Sequence, residues 1–234
     1  MSLTAERFTV VDLPEPSVEV MREFESLPRD PYTPGGHRSR RFSQFKMTHD
    51  GEGWKLELLP HRPFLQASAY NPLVGGVARH LEPLTIDPAP QIVFGAESFP
   101  LDVDEVWQIN VHQCRVVTAL DLPGISVPEG PHHDGHDFGM LAVFRRHNIV
   151  GGETQLMSNE GGELFFRKTL EANQALLYED AAMLHYATDI KPLTAEGGFR
   201  DLWIVAFNRW ENRKYGPEFE AAALKGDEDR PPVP

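Results

Sequence analysis

The sequence predicts a mainly β protein whose core is a sandwich or barrel of antiparallel strands. From residue 106 onward, eight short stretches show the alternating or continuous apolar pattern of strands, with no helical pattern among them. Glycines separate these stretches at the spacing expected for turns. With 234 residues, 41% of them hydrophobic, the chain is long enough to bury a full core. We therefore expect a single domain over residues 1–234.

The segment before these strands, residues 1–105, predicts a cover of helices and a hairpin. A helix over Ser17–Leu27 is indicated because its apolar residues recur on one face. Short strands are predicted over 8–11, 41–48 and 54–59, the last two forming a hairpin. The segment 64–84 is rich in polar residues and glycine, which favours a loop leading into a helix. Its polar residues could line a pocket, but solvated surface is the expectation for each of them.

The β core is predicted over residues 106–210, with a C-terminal helix and tail over 211–234. The eight strands are expected at 106–118, 125–127 running towards His132, 138–146, 153–157, 163–166, 174–179, 185–190 and 199–208. A small helix over Pro217–Lys225 starts at a proline and stops before Gly226. The residues beyond it are acidic and rich in proline, a composition typical of disorder.

Charge and cysteine content exclude several classes of function. The net charge of −13, from 22 basic and 35 acidic residues, argues against nucleic acid or an anionic membrane as a partner. Cys114 is the single cysteine and cannot form an internal disulfide, so we interpret it as a buried apolar residue. The sequence shows no signal peptide and no apolar stretch of membrane-spanning length. We expect a cytoplasmic protein with a small-molecule partner, and a homodimer remains possible.

The stretch PEGPHHDGHDF, Pro128–Phe138, concentrates potential metal ligands. In an extended chain alternate side chains share a face, so His132 and Asp134 point one way and His133 the other. One imidazole and one carboxylate from a single strand supply two ligands for a divalent metal. Taken alone, the same letters also fit a polar loop with histidines present by chance.

A third ligand follows 51 residues after Asp134, at His185, with four predicted strands between them. In an eight-stranded jelly roll the second and seventh strands are antiparallel neighbours, so His185 can meet His132 and Asp134. Two imidazoles and one carboxylate on one side of a metal leave positions open, as in non-haem Fe(II) oxygenases. A structural zinc site needs four ligands, usually including thiolates, and this chain has one cysteine.

Polar residues on two further strands are candidate anchors for a co-substrate. Arg200 begins an otherwise apolar eighth strand, where a buried arginine needs an anionic partner. A dicarboxylate whose 2-oxo acid end chelates iron would supply one, although a protein carboxylate such as Asp201 or Asp180 is the alternative. Gln113 and Arg115 share a face of the neighbouring strand. Either could bind the co-substrate or a substrate carboxylate, or the two could be an ordinary polar pair.

Several blocks in this order resemble the 2-oxoglutarate/Fe(II) dioxygenases of the bacterial L-isoleucine hydroxylase and biofilm-stress-protein-A-like group. The blocks are VHQCRV (111–116), PEGPHHDGHDF (128–138), RRHNIVGGETQL (145–156), YEDAAMLHYATDI (178–190) and 199–208. The resemblance implies a double-stranded β-helix (a cupin-like jelly roll), with Fe(II), 2-oxoglutarate and O₂ as cofactor and co-substrates. It assigns His132, Asp134 and His185 to the metal and Arg200 to 2-oxoglutarate.

The same resemblance implies that the enzyme hydroxylates or sulfoxidises a free L-amino acid. Two other classes fit parts of the pattern. A cupin-like metalloenzyme could use the same three ligands without 2-oxoglutarate, but it would have no need of a cation at Arg200. A non-enzymatic jelly-roll binding protein would make the ligand pattern a coincidence.

Overall fold

The protein is built on one large antiparallel sheet with smaller β ladders, which confirms the predicted mainly β, jelly-roll-like fold. The structure, a computed structural model, describes residues 6–68, 70–71 and 73–225. Its strands are β1 Phe8–Asp12, β2 Arg38–His49, β3 Trp54–Leu58, β4 Trp107–Thr118, β5 Phe138–His147, β6 Ile149–Gly151, β7 Glu153–Met157, β8 Leu164–Thr169, β9 Gln174–Glu179, β10 Leu184–Ala187, β11 Ile190–Pro192 and β12 Gly198–Arg209.

The large sheet has seven strands in the order β1-β9-β5-β12-β4-β2-β3. Its centre is the pair β12 and β4, which stay in register from Gly198 opposite Thr118 to Arg209 opposite Trp107. The smaller ladders are β10-β7-β8 and β11-β6. Every pairing is antiparallel, so the start of each strand lies beside the end of its neighbour, even when the two strands are far apart in sequence.

Side-chain alternation gives the large sheet two different faces. The outer face carries Trp107, Trp203 and Phe207, which pack with residues of the helices into the main hydrophobic core. Those helices are α1 Val18–Glu23 and α2 Ala89–Ser98. Residues one position away on the same strands, such as Cys114 and Leu202, face inward and line a cavity. The register of β4 and β12 therefore decides which side chains reach the cavity.

Most predicted elements of the N-terminal cover are present. The first strand, the hairpin of β2 and β3, and α1 match the prediction, although the helix tightens into a 3₁₀ turn over Phe24–Ser26. A helix does follow the polar segment 64–84, beginning at Ala89. The C-terminal helix α3 spans Pro217–Lys225 as predicted. The acidic tail beyond it lies outside the described residues.

The second strand of the predicted jelly roll is the main difference. No strand forms over 125–127, and the β-bridges that flank the segment are two isolated ones, Gly124 to Ile190 and His132 to His185. The Ser126 amide donates to the side chain of Asp189 instead of continuing a ladder. The neighbour relation expected for the metal ligands nevertheless holds, because His132 and His185 exchange both backbone hydrogen bonds.

No helix within the described ranges is both long enough and apolar enough to span a membrane.

Candidate functional site

Three side chains converge where the segment after β4 meets β10. Nε2 of His132 lies 3.4 Å from Asp134 Oδ1, and Nε2 of His185 lies 3.3 Å from Asp134 Oδ2. One ligand atom from each residue lies within 4.8 Å of the others. Two imidazoles and a carboxylate so close together could hold a divalent metal on one side, and the set contains no thiolate.

Polar contacts orient each of these three side chains. Nδ1 of His132 lies 2.8 Å from the Gly130 carbonyl, so Nδ1 carries the proton of the neutral ring and Nε2 is free to bind a metal. Nε2 of Gln66 donates to Asp134 Oδ1 at 3.1 Å. Nδ1 of His185 faces Asp180 Oδ1 at 3.5 Å. Such partners fix the direction from which the ligand atoms approach a metal.

Asp180 is also the residue that shapes the loop carrying Asp134. Its carboxylate accepts hydrogen bonds from the backbone N–H groups of Asp134, Gly135 and His136, at 3.0, 2.7 and 3.0 Å. Its carbonyl oxygen lies 2.6 Å from Nδ1 of His133. Asp180 is buried and comes from the turn after β9, so it ties the ligand loop to the large sheet.

The other two histidines of the motif have different surroundings. His133 is turned towards the Asp180 carbonyl, as alternation along an extended chain predicts. His136 reaches the cavity, but its Nδ1 lies 3.0 Å from Asn208 Oδ1. Neither residue belongs to the group of convergent ligand atoms.

The ligand atoms share a strong electrostatic coupling. Burial alone would lower the pKa of His132, but the hydrogen bond and charge of Asp134 outweigh burial and raise it to about 9. Burial would raise the pKa of Asp134, but its hydrogen bonds with His132 and His185 hold it well below its usual range. Both shifts have one cause, the attraction between the Asp134 carboxylate and positive charge on the imidazoles, and a metal ion bound here would take the place of the His132 proton on Nε2.

Arg200 supplies a second charge in the same cavity. It is 2% exposed, and its Nε and Nη2 have no hydrogen-bond partner among the described residues. Burial, together with the nearby charge of Arg146, lowers the pKa of Arg200 to about 9, which still leaves it a cation at neutral pH. The alternative partner Asp201 lies on the other face of β12, where it pairs with Arg115 and Arg145. Arg200 therefore lacks an anion, and a dicarboxylate fits this need.

The cavity that joins these groups has a volume of about 340 Å³. It contains the three convergent ligands together with Arg200 and Thr154, whose buried hydroxyl has no hydrogen-bond partner among the described residues. Its aliphatic wall is formed by Val116, Leu141, Leu176, Leu202 and Ile204. The volume is near the lower end of the ~300–1,000 Å³ typical of small-molecule sites.

The expectation that Gln113 or Arg115 binds a co-substrate needs correction. Both residues lie on the outer face of β4, away from the cavity that His112 and Cys114 line. Arg115 instead donates to Asp201 at 2.6 Å and also pairs with Glu25. Because β4 is buried on both faces and carries polar residues on each, its sequence pattern gave no sign of which face looks inward.

The solvated surface expected for the polar residues of segment 64–84 is also wrong for three of them. Gln66, Asn71 and Arg79 are buried and line the cavity. Glu129 lies on the same wall and had no signal of its own in the sequence. The block PEGPHHDGHDF contains it, but only the fold turns its side chain towards the ligands.

Comparison with known proteins supports the interpretation of the three convergent ligands and Arg200 as a site for a metal and a dicarboxylate. A family model described as 2OG-Fe dioxygenase matches residues 21–206. No curated protein sequence matches the chain. The crystal structure of a bsmA homologue from Methylobium petroleophilum PM1 is 28% identical, with a TM-score of 0.68, covering 81% of this chain and 79% of that one.

Two further solved structures share the fold. IDO from Bacillus thuringiensis is 18% identical with a TM-score of 0.71, covering 88% of this chain and 95% of its own. TqaL, an Fe(II)/α-ketoglutarate-dependent dioxygenase, is 18% identical with a TM-score of 0.57, covering 88% of this chain and 83% of its own. The family model alone spans well over half of the sequence. The chain belongs to the 2OG-Fe dioxygenase family.

Proposed function

We propose that the protein is an Fe(II)- and 2-oxoglutarate-dependent dioxygenase that oxidises a C–H bond, or a sulfur, of a free L-amino acid. The observation that carries the proposal is Arg200, a buried cation without an anion in the same cavity as three convergent metal ligands. A cupin-like enzyme without 2-oxoglutarate, or a binding protein without a metal, would leave this cation unexplained.

Each of these residues has a defined task in the proposed reaction. His132, Asp134 and His185 would hold Fe(II) through Nε2, a carboxylate oxygen and Nε2. Arg200 would bind the distal carboxylate of 2-oxoglutarate, with Thr154 able to add a hydroxyl contact. When bound, iron and 2-oxoglutarate supply the oxidising chemistry, in which O₂ is consumed, succinate and CO₂ are released and the substrate gains one oxygen atom.

The remaining residues position the substrate and exclude water. The aliphatic wall of the cavity favours an aliphatic or thioether side chain over a charged one. Its volume accommodates small molecules and not a folded macromolecule. A cytoplasmic location and a homodimeric state remain predictions made from the sequence.

The decisive experiment for the co-substrate combines Arg200→Gln with Arg200→Lys. Removing one partner of a buried charge pair costs about 2–5 kcal/mol, so Arg200→Gln should weaken 2-oxoglutarate binding at least about 30-fold. Arg200→Lys keeps a cation and should lose less affinity. Arg167→Gln is the control, because Arg167 is exposed on β8. Unchanged affinity in Arg200→Gln would remove Arg200 from the co-substrate site.

Substrate class is tested by screening free L-amino acids for substrate-dependent succinate release and a product 16 mass units heavier. The D-enantiomers, N-acetyl derivatives and methyl esters should be poor substrates, because each disturbs the arrangement of charges at Cα. If only a peptide or a carrier-bound residue is oxidised, the dioxygenase assignment stands and the proposed substrate class fails.

A further inference from the structure

Besides Arg200 and the candidate metal ligands, the cavity wall carries two further charged side chains, Arg79 and Glu129, which do not contact each other. Arg79 is 4% exposed and has no carboxylate within ion-pairing distance among the described residues. Its Nε has no hydrogen-bond partner there, and Nη2 makes only a 3.4 Å contact with Gln66 Oε1. The guanidinium lies over the ring of Phe64, 4.2 Å from the centroid, which fixes its plane.

Apart from Glu129, the carboxylates whose charges act on Arg79 are Asp30 and Asp134, and both are engaged elsewhere. Asp30 pairs with Arg40 at 2.8 Å. Asp134 belongs to the convergent metal ligands. Burial and the charge of Arg40 lower the pKa of Arg79 to about 9, so it stays a cation at neutral pH. A buried cation in this position needs an anion from outside the chain.

Glu129 is a negatively charged side chain that lines the same cavity as Arg79. Its carboxylate accepts a long hydrogen bond from Asn71 Nδ2, at 3.4 Å, and lies 3.8 Å from Nε2 of His132. Its side chain is 15% exposed, and no lysine or arginine in the described part of the chain pairs with it. Glu129 is therefore an acceptor at the edge of the candidate metal ligands, and once Nε2 of His132 holds a metal no protonated side chain among the described residues pairs with it.

Two amides hold these opposite charges apart. Nδ2 of Asn71 lies 3.3 Å from Gln66 Oε1 and 3.4 Å from Glu129 Oε1, and Gln66 Oε1 in turn contacts Arg79. If Arg79 and Glu129 served only to neutralise each other, they would be in contact. The chain Arg79–Gln66–Asn71–Glu129 instead keeps a cation and an anion separate along one cavity wall. A molecule carrying both charges satisfies the two ends together.

We infer that Arg79 binds the carboxylate and Glu129 the ammonium group of a zwitterionic α-amino acid substrate. The inference rests on the proposed function and gives its substrate site two specificity-determining residues. Gln66 then connects the substrate site to the metal site. Its Nε2 donates to the candidate metal ligand Asp134, and its Oε1 accepts from Arg79. The substrate is thereby held against the metal by its polar end, and its side chain meets the aliphatic wall.

The test measures binding to the protein loaded with Fe(II) and 2-oxoglutarate under anaerobic conditions, by calorimetry. The probes are L-leucine and L-methionine, their carboxamides, and their deaminated acids 4-methylpentanoate and 4-(methylsulfanyl)butanoate. Of L-leucine and L-methionine, one will bind the parent protein more tightly. Its dissociation constant should be at least about 30-fold lower than that of its own carboxamide and that of its own deaminated acid. This comparison needs no variant and so does not depend on whether a variant folds.

Each variant should remove one preference and leave the other. Arg79→Gln should bind the amino acid and its carboxamide within about threefold of each other, and Glu129→Gln should do the same for the amino acid and its deaminated acid. Arg79→Lys keeps the cation and should retain part of the preference. Arg22→Gln and Glu97→Gln, at exposed positions on α1 and α2, are the matched controls and should behave as the parent.

The outcomes separate the inference from the proposed function. If the parent binds an amino acid and both variants keep the parental preferences, the inference fails and the substrate class stands. If the parent binds 2-oxoglutarate but none of the free amino acids, the substrate class fails and the inference with it. A parent that binds a carboxamide or a deaminated acid as well as the amino acid also overturns the inference.

Discussion

The sharpest prediction concerns Asp180, because its one carboxylate both binds the loop of Asp134 and faces the candidate metal ligand His185. Asp180 accepts three backbone N–H groups of the loop that carries Asp134, and faces Nδ1 of His185. Replacing Asp180 by alanine leaves all three donors without this acceptor. An unsatisfied donor costs about 1–3 kcal/mol, and the lower value applies because the loop is half-buried.

The expected loss for Asp180→Ala is therefore about 3 kcal/mol of unfolding free energy. For a chain of this size it corresponds to a fall in Tm of about 6–12 °C. Asp180→Asn keeps one acceptor oxygen, which can serve Gly135 and His136, and loses only the bond to Asp134. It should cost about 1 kcal/mol and about 2–4 °C.

Iron affinity should fall in both variants, by about 10–100-fold, because the loop and His185 lose their orientation. The assays are thermal unfolding of the iron-free protein by circular dichroism and anaerobic titration with Fe(II). Asp102→Asn is the control, since the carboxylate of the exposed Asp102 accepts a single hydrogen bond, from the Asp104 amide, in a surface turn. If Asp180→Ala melts within about 2 °C of the parent and binds iron equally well, Asp180 does not organise the site.

Three further predictions follow from the placement of individual side chains. His132→Ala should abolish Fe(II) binding while His133→Ala retains it, and the reverse result in an iron titration would mean that the strand register is wrong. Arg115→Ala should lower the Tm, because it removes a partner from the buried Asp201, yet leave 2-oxoglutarate affinity within about twofold of the parent; a large rise in the dissociation constant would return Arg115 to the site. Cys114 is 1% exposed and burial raises its pKa, so a thiol reagent should label it only after unfolding; labelling of the native protein at the rate of a free thiol would contradict its position.

Much of the fold could be predicted because strand alternation is a local property. Of the strands from β4 to β12, all but the short β6 were located within a few residues, although no strand forms over 125–127 and 185–190 is divided between β10 and β11. Pro128 and the positive φ of Gly130, 78°, interrupt the segment that was expected to pair continuously. Such a break depends on which side-chain acceptors are near, as Asp189 is for Ser126.

The candidate metal ligands could be predicted for the same reason. Alternation places His132 and Asp134 on one face, and the order of strands in a jelly roll brings His185 beside them. The sequence could not assign Gln113 and Arg115 to a face, because both faces of β4 are buried and both carry polar residues, and shifting the parity by one residue exchanges the two faces. The tertiary structure turned these two residues away from the cavity.

The charged residues available to the site, and the strands that carry most of them, can be inferred from the sequence. Which of these charges remain without a partner depends on the three-dimensional packing. Arg40 meets Asp30 and Arg115 meets Asp201, whereas Arg79 and Arg200 reach no carboxylate among the described residues. The physical reason is that an ion pair depends on a separation of a few ångströms in space. That separation is set by how antiparallel strands and the 64–79 segment close over one cavity, and not by positions along the chain.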